Sequence, residues 1–227
     1  MKSILFDFGG TLDSRGAAWG DRFFRIYKES GVVRDRADFD KAFYASDDNL
    51  SRRFPLKNLG LRETLSLQVR CVLEGLGRGR GGESNLERLV VDEFLKECRA
   101  NFALNRPVLE RLAARFRLGI VSNFYGNLES VLAAEGLRDL FDVVADSGAV
   151  GVEKPDARLF RFAIEALGLR PGDCVMVGDS IPRDMRGAEN LGLRHALLAR
   201  NGGPSCCRQG WRISTLSELE PRLSEAA

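Results

Sequence analysis

Asp7 stands where a short apolar run, Ser3-Ile4-Leu5-Phe6, ends, and Phe8, Gly9, Gly10, Thr11 and Leu12 follow it. Burying an unpaired carboxylate is costly, so a strand gains nothing from this charge. In open α/β sheets ligands bind outside the carboxyl ends of the strands, and Asp7 therefore reads as a site residue. Other apolar runs end in fitting partners. Ser122 and Asn123 follow Gly119-Ile120-Val121. Asp179 and Ser180 follow Val175-Met176-Val177-Gly178, with Asp184 beyond them, and Lys154 precedes Pro155. Together these supply a carboxylate nucleophile, a hydroxyl, a cation and two further carboxylates. Such a set suits an anion and a hard divalent metal. Mg²⁺ prefers oxygen ligands and offsets the repulsion between an anionic nucleophile and an anionic phosphate. Lys154 and the Ser122 hydroxyl can hold phosphoryl oxygens, with loop amides around Gly10 and Thr11 as further donors. An aspartate so placed can attack phosphorus and divide the transfer through an aspartyl-phosphate.

The elements that position these residues alternate. Strands are predicted at Ser3–Phe6, Leu118–Val121, Val143–Ala145, Cys174–Val177 and Ala196–Ala199. Helical stripes lie between them: Leu109, Leu112 and Phe116 after a helix-opening Pro107; Leu128, Val131 and Leu132 before Gly136; Leu159, Phe160, Ala163, Ile164 and Leu167 between Pro155 and Gly168. Short apolar strands alternating with helices predict βαβ units and a parallel sheet. Trp211–Leu223 reads as a last strand and helix. Residues 14–105 show no strand; Leu61, Leu65, Val69, Val72, Leu73 and Leu76 mark a helical insertion over the carboxyl edge of the sheet. The expected organisation is a core of residues 1–13 and 106–227 with a helical module over 14–105.

Composition excludes more than it assigns. The 227 residues are 44% hydrophobic and 29% charged, ordinary for a soluble globular chain with a sizeable core. A formal net charge of +2 makes no case for nucleic acid or an acidic membrane. No apolar run approaches the roughly 20 residues of a membrane span, and Asp7 cuts the first run too early for a signal peptide. Cys71, Cys98, Cys174, Cys206 and Cys207 are an odd, scattered set, which predicts reduced thiols in a cytoplasm, with Cys206-Cys207 in a loop. His195 is the sole histidine, so a histidine zinc site or a histidine triad is not expected. Gly77, Gly79 and Gly82 match G-x-G-x-x-G, but a helical stripe rather than a strand precedes them, and the stretch reads as a loop.

The ordered set Asp7-x-Gly9-Gly10-Thr11-Leu12, Ser122, Lys154-Pro155 and Gly178-Asp179-Ser180-x-x-x-Asp184 resembles the four motifs of the haloacid dehalogenase superfamily. The resemblance spans residues 7 to 184, and four motifs in order are far more specific than any one. It implies a Rossmann-like three-layer core with a parallel sheet and an inserted helical cap. It further implies a Mg²⁺-dependent phosphatase acting on a small phosphorylated substrate, as a monomer or homodimer. By the same resemblance Asp7 is nucleophile and metal ligand, Ser122 and Lys154 are catalytic, and Gly10, Thr11, Ser122, Asn123 and Lys154 bind phosphate. Asp7, Gly9 through its carbonyl, Asp179 and Asp184 form the metal set.

One position departs from that family. Its phosphatases carry a second aspartate two residues after the nucleophile as general acid and base; here Gly9 stands there. Such help is typically worth about 10²–10⁴-fold, so turnover is expected to be slowed rather than absent, least on activated esters. Asp13 is the nearest replacement, against a turn or helix-cap role, and Gly9→Asp is expected to raise turnover on poor leaving groups. Alternatives are C–P hydrolysis through a Schiff-base lysine such as Lys41 or Lys57, C–halogen hydrolysis, which the Asp179–Asp184 pair disfavours, and a retired enzyme binding a phosphorylated ligand or a protein. Trp19, Arg22, Arg52, Arg53 and Lys57 are candidate leaving-group contacts.

Overall fold

The computed structural model describes residues 1–78, 85–200 and 210–225. Its centre is one parallel sheet of six strands: β1 (Ser3–Phe6), β2 (Arg117–Ser122), β3 (Val143–Asp146), β4 (Cys174–Gly178), β5 (Arg194–Leu198) and β6 (Trp211–Ile213), in the order β3-β2-β1-β4-β5-β6. β1 and β4 are buried along their whole length, as strands covered on both faces must be, which is why they read as unbroken apolar runs. Alternate residues serve opposite faces. Ile4 and Phe6 join Ile120, Val175 and Val177 in one apolar cluster, whereas Leu5 joins Val121, Met176 and Phe160 in the other. The result is the three-layer α/β arrangement expected from the sequence.

Nine α-helices are described: α1 (Trp19–Glu29), α2 (Arg36–Arg53), α3 (Leu61–Gly75), α4 (Asn85–Ala113), α5 (Leu128–Ala134), α6 (Ser147–Val150), α7 (Ala157–Ala166), α8 (Arg186–Asn190) and α9 (Leu219–Glu225). The first four lie between β1 and β2, with no strand among their described residues. α1, α2 and α4 share an aromatic cluster in which Phe23 stacks on Phe94 at 4.0 Å between centroids. Such a pair contributes about 0.5–1.5 kcal/mol beyond its buried area.

One expectation is corrected here. Pro107 does not open a helix but lies inside the 29-residue α4, which runs on from the inserted helices towards β2. Having no N–H, Pro107 leaves the Ala103 carbonyl without its helical bond, yet Leu95, Phe102, Val108 and Leu112 continue one buried stripe past it. Burial of that stripe outweighs the lost bond. No described helix is long and apolar enough to cross a membrane.

The strand register assembles the site. Phe6 pairs with Ile120 on one side and Val177 on the other, so Asp7, Ser122 and Asp179 emerge together at the carboxyl edge.

Candidate active site

Asp7 leaves β1 with its amide still bonded to the Val177 carbonyl at 2.9 Å, so its backbone is fixed as part of the sheet. Its carboxylate is buried and unevenly used. Oδ1 accepts from the Phe8 amide at 2.8 Å and the Ser122 hydroxyl at 2.7 Å, and it pairs with Lys154 Nζ at 2.7 Å. Oδ2 receives no hydrogen bond from any described residue. A carboxylate held by one oxygen and open at the other is aimed as well as buried.

Lys154 is the cation of the site. Its ammonium bridges Asp7 Oδ1 and Asp184 Oδ1, the latter at 2.6 Å. Burial alone would lower its pKa, but the two carboxylates overcome that and hold it above the usual lysine value, so it stays charged at neutral pH. Asn123 keeps Lys154 in place. Its Oδ1 accepts from the Lys154 amide at 2.7 Å and its Nδ2 donates to the Lys154 carbonyl at 3.2 Å.

Asp7, Asp179 and Asp184 each offer an oxygen within 4.8 Å of the others. Asp184 Oδ2 also accepts from the Ser180 amide at 2.9 Å, through a π-helical turn over Ile181–Met185 that carries Asp184 back to the sheet edge. Burial, with the neighbouring carboxylates, pushes Asp179 well above the ordinary range and Asp184 up to about 6. Three carboxylates around one lysine leave excess negative charge in a dry place. A hard divalent cation fits that donor set. The backbone comes close for the same purpose: a Cβ on Gly10, whose φ is +89°, would overlap the Asp179 carboxylate.

The turn after Asp7 departs from the expected phosphate contacts. The Gly10 amide donates to Asp13 Oδ1 at 2.6 Å and the Thr11 amide to the Phe8 carbonyl at 3.2 Å. The buried Thr11 hydroxyl donates to Asp179 Oδ1 at 3.3 Å. These donors are spent on shaping the turn. The amides of Gly9 and Asn123 have no acceptor among the described residues, and they are among the N–H groups left for an anion.

Asp13 is equally committed. Its Oδ2 accepts from Trp19 Nε1 at 2.7 Å, Arg22 at 2.6 Å and the Cys98 thiol at 3.5 Å, and no part of it is exposed. It pins the turn to α1 and α4. Arg22, expected as a substrate contact, is the buried partner of Asp13 and Glu97. Burial opposes its charge, and Asp13 more than restores it. Trp19 lies beside Gly9, where an added Cβ would stand 3.1 Å from Nε1 of the indole. The ring is held edge-on by Phe23, Phe94 and Phe124, so it has little room to give. That geometry revises the expectation for Gly9→Asp, because a side chain at position 9 points into a packed indole.

Arg52, Lys41 and Lys57 are exposed, and Arg53 pairs with Glu74 at 3.0 Å. Gly77, with φ +71°, closes α3, which confirms the helical rather than strand context; Gly79, Gly82, Cys206 and Cys207 lie outside the described residues. His195 is buried in β5.

Three comparisons bear on this arrangement. The mouse haloacid dehalogenase-like hydrolase domain-containing protein 3 (Mus musculus) is 29% identical over 208 residues, covering 88% of this chain and 82% of that one. The crystal structure of a HAD phosphatase from Thermococcus onnurineus superposes with a TM-score of 0.58 at 28% identity, covering 98% of each chain. The L-2-haloacid dehalogenase from Xanthobacter autotrophicus, with chloropropionic acid covalently bound, superposes with a TM-score of 0.61 at 20% identity over 99% of this chain and 98% of that one, which shows a shared fold. Residues 1–192 match the haloacid dehalogenase-like hydrolase family, and this chain belongs to it.

Proposed function

We propose that this hydrolase is a Mg²⁺-dependent phosphatase that acts on a small phosphate ester through an aspartyl-phosphate at Asp7. The observation that carries the reading is the asymmetry of the Asp7 carboxylate, tied at Oδ1 and open at Oδ2 beside a charged lysine. Oδ2 attacks phosphorus in line with the leaving oxygen. Lys154 Nζ and the open Gly9 and Asn123 amides gather the phosphoryl oxygens, with the Ser122 hydroxyl turning from Asp7 Oδ1 to the phosphoryl group as it binds, which places reactants in contact and stabilises charge as it develops. Asp7, Asp179, Asp184 and the Gly9 carbonyl would hold the metal, which supplies positive charge against two anions. Residues 14–105 act as a cap over the leaving group and limit the access of water.

The trio of carboxylates also favours phosphoryl chemistry over carbon–halogen cleavage, since a monoanionic haloacid needs no such metal set. Lys41 and Lys57 are exposed, so neither has the desolvated surroundings that activate a Schiff-base lysine. The test is hydrolysis of an activated aryl phosphate with and without Mg²⁺. Turnover should require the metal and fall at least about 10³-fold in Asp7→Asn. Metal-independent release of halide from 2-haloacids, with no aryl phosphate turnover, contradicts the reading.

A further inference from the structure

Gly9 offers the leaving oxygen no proton, and Asp13 has both oxygens occupied. The inserted helices contain a carboxyl in a different state. Asp47, on α2, accepts a close hydrogen bond from the Tyr125 hydroxyl and a second from Gln68 Nε2 at 3.4 Å, both at Oδ1. Its Oδ2 receives none from the described residues. Asp47 thus repeats the asymmetry of Asp7. Tyr125 belongs to the loop that follows β2 and carries Ser122 and Asn123, so this contact ties α2 to a wall of the phosphate site. The charged groups that act most strongly on Asp47 are Asp48 on its own helix, Arg183 between Asp179 and Asp184, and Glu153 next to Lys154, while the neutral Gln68 of α3 donates to it. Asp47 therefore feels charges from both loops that deliver the site's metal ligand and lysine, and it is tied by Tyr125 to the loop after β2. Burial is the strongest influence on its carboxyl and raises its pKa, so it keeps a proton to higher pH than a surface aspartate.

A second observation marks the same spot. Gln68 is fully buried, yet its Oε1 has no hydrogen-bond partner. A buried amide oxygen left unpaired costs about 1–3 kcal/mol, and such groups are rare without a function. It belongs to the residue whose Nε2 donates to Asp47, so the polar contact there is incompletely satisfied.

Resting on the phosphatase reading above, we propose that Asp47 is the proton-transfer residue of the reaction, serving the leaving group from the helical insertion in place of the side chain that Gly9 lacks. In the first step Asp7 Oδ2 forms a bond to phosphorus and the ester P–O bond breaks. The leaving oxygen takes the bonding pair and the proton of Asp47, giving a neutral alcohol and the Asp47 carboxylate. In the second step water attacks phosphorus, its proton passes to Asp47, and the P–O bond to Asp7 breaks with the pair returning to Asp7. Phosphate leaves and both carboxyls are restored.

The experiment compares wild type, Asp47→Asn and Tyr125→Phe with Mg²⁺ on an alkyl phosphate and an activated aryl phosphate across pH. An alkoxide leaves poorly without a proton and an activated phenolate leaves readily. Asp47→Asn should therefore lose about 10²-fold more kcat/KM on the alkyl than on the aryl ester. A burst of aryl alcohol should appear as the second step slows. The alkaline fall in alkyl-ester activity should vanish in Asp47→Asn. In Tyr125→Phe it should move to higher pH, since the lost hydrogen bond favoured the carboxylate. Equal losses on both esters in Asp47→Asn, or an unmoved alkaline limb in Tyr125→Phe, overturn the proposal. Should Asp47→Asn fail to fold, the Tyr125→Phe profile decides alone. A wild type whose aryl phosphate turnover does not depend on Asp7 fails the phosphatase reading itself, and this proposal with it.

Discussion

Asp7 and Asp13 are buried carboxylates on the same turn, and they do opposite things. Asp7 has three donors crowded onto one oxygen and none on the other. Asp13 has both oxygens bonded, to a backbone amide on one side and to an indole, a guanidinium and a thiol on the other. Burial is therefore shared by both carboxylates, and only Asp7 keeps open lone pairs. The Asp7 side of the turn is the candidate site, and the Asp13 side is a clamp that joins the turn to α1 and α4.

Breaking the clamp should cost the most stability. Asp13→Ala leaves the buried Arg22 guanidinium with the partly exposed Glu97 as its one carboxylate partner among the described residues, beside the Cys98 thiol and the Phe94 ring. Removing one partner of a buried pair typically costs about 3–5 kcal/mol. Urea unfolding should show a loss of that order, while the folded fraction keeps its aryl phosphate turnover; a loss below about 1 kcal/mol would mean that the clamp is dispensable. Gly9→Asp sharpens the contrast with a smaller effect. The new side chain meets the Trp19 indole, and overpacking typically costs about 1–3 kcal/mol. No gain on alkyl phosphates is expected from this variant alone, and a clear gain in kcat/KM would show that the indole yields.

The smallest effect tests the open side of the turn through pH. Asp184 is pushed up to about 6, above the ordinary aspartate value near 3.9, so the folded chain binds a proton that the unfolded chain has released. Without metal, stability is fullest below the unfolded value and falls as pH rises through the folded one. A cation binds the ionised trio and competes with that proton. The rise in Tm on adding Mg²⁺ should be greater near pH 7.5 than near pH 5, and an equal rise at both would separate the metal from these carboxylates.

How legible each region is follows from its geometry. Asp7, Ser122 and Asp179 could be read as candidates because a polar residue that closes an apolar strand keeps its meaning along the chain, whereas Lys154 and Asp184 stood out only by their place in the motif order. Parallel register then gathers those ends at one edge. The clamp joins Asp13 to Cys98, 85 residues away, and no local pattern reports such a contact. The Trp19–Gly9 apposition and the Tyr125–Asp47 bond were hidden for the same reason. Sequence chemistry also assigned the amides of Gly10 and Thr11 to an anion, because it could not see Asp13 and Phe8 claiming them. Pro107 misled in a different way. Its preference for a first helical turn is local, whereas the buried stripe of α4 that overrides it is tertiary.

The central claim is that the free Oδ2 of Asp7 is where phosphorus is captured. Acid-quenched enzyme, sampled during turnover of an activated aryl phosphate and digested for mass spectrometry, measures it directly. A phosphoryl group should be found on Asp7, labile to hydroxylamine and missing from Asp7→Asn. A phosphoryl group on another residue, or full turnover by Asp7→Asn, would contradict the account.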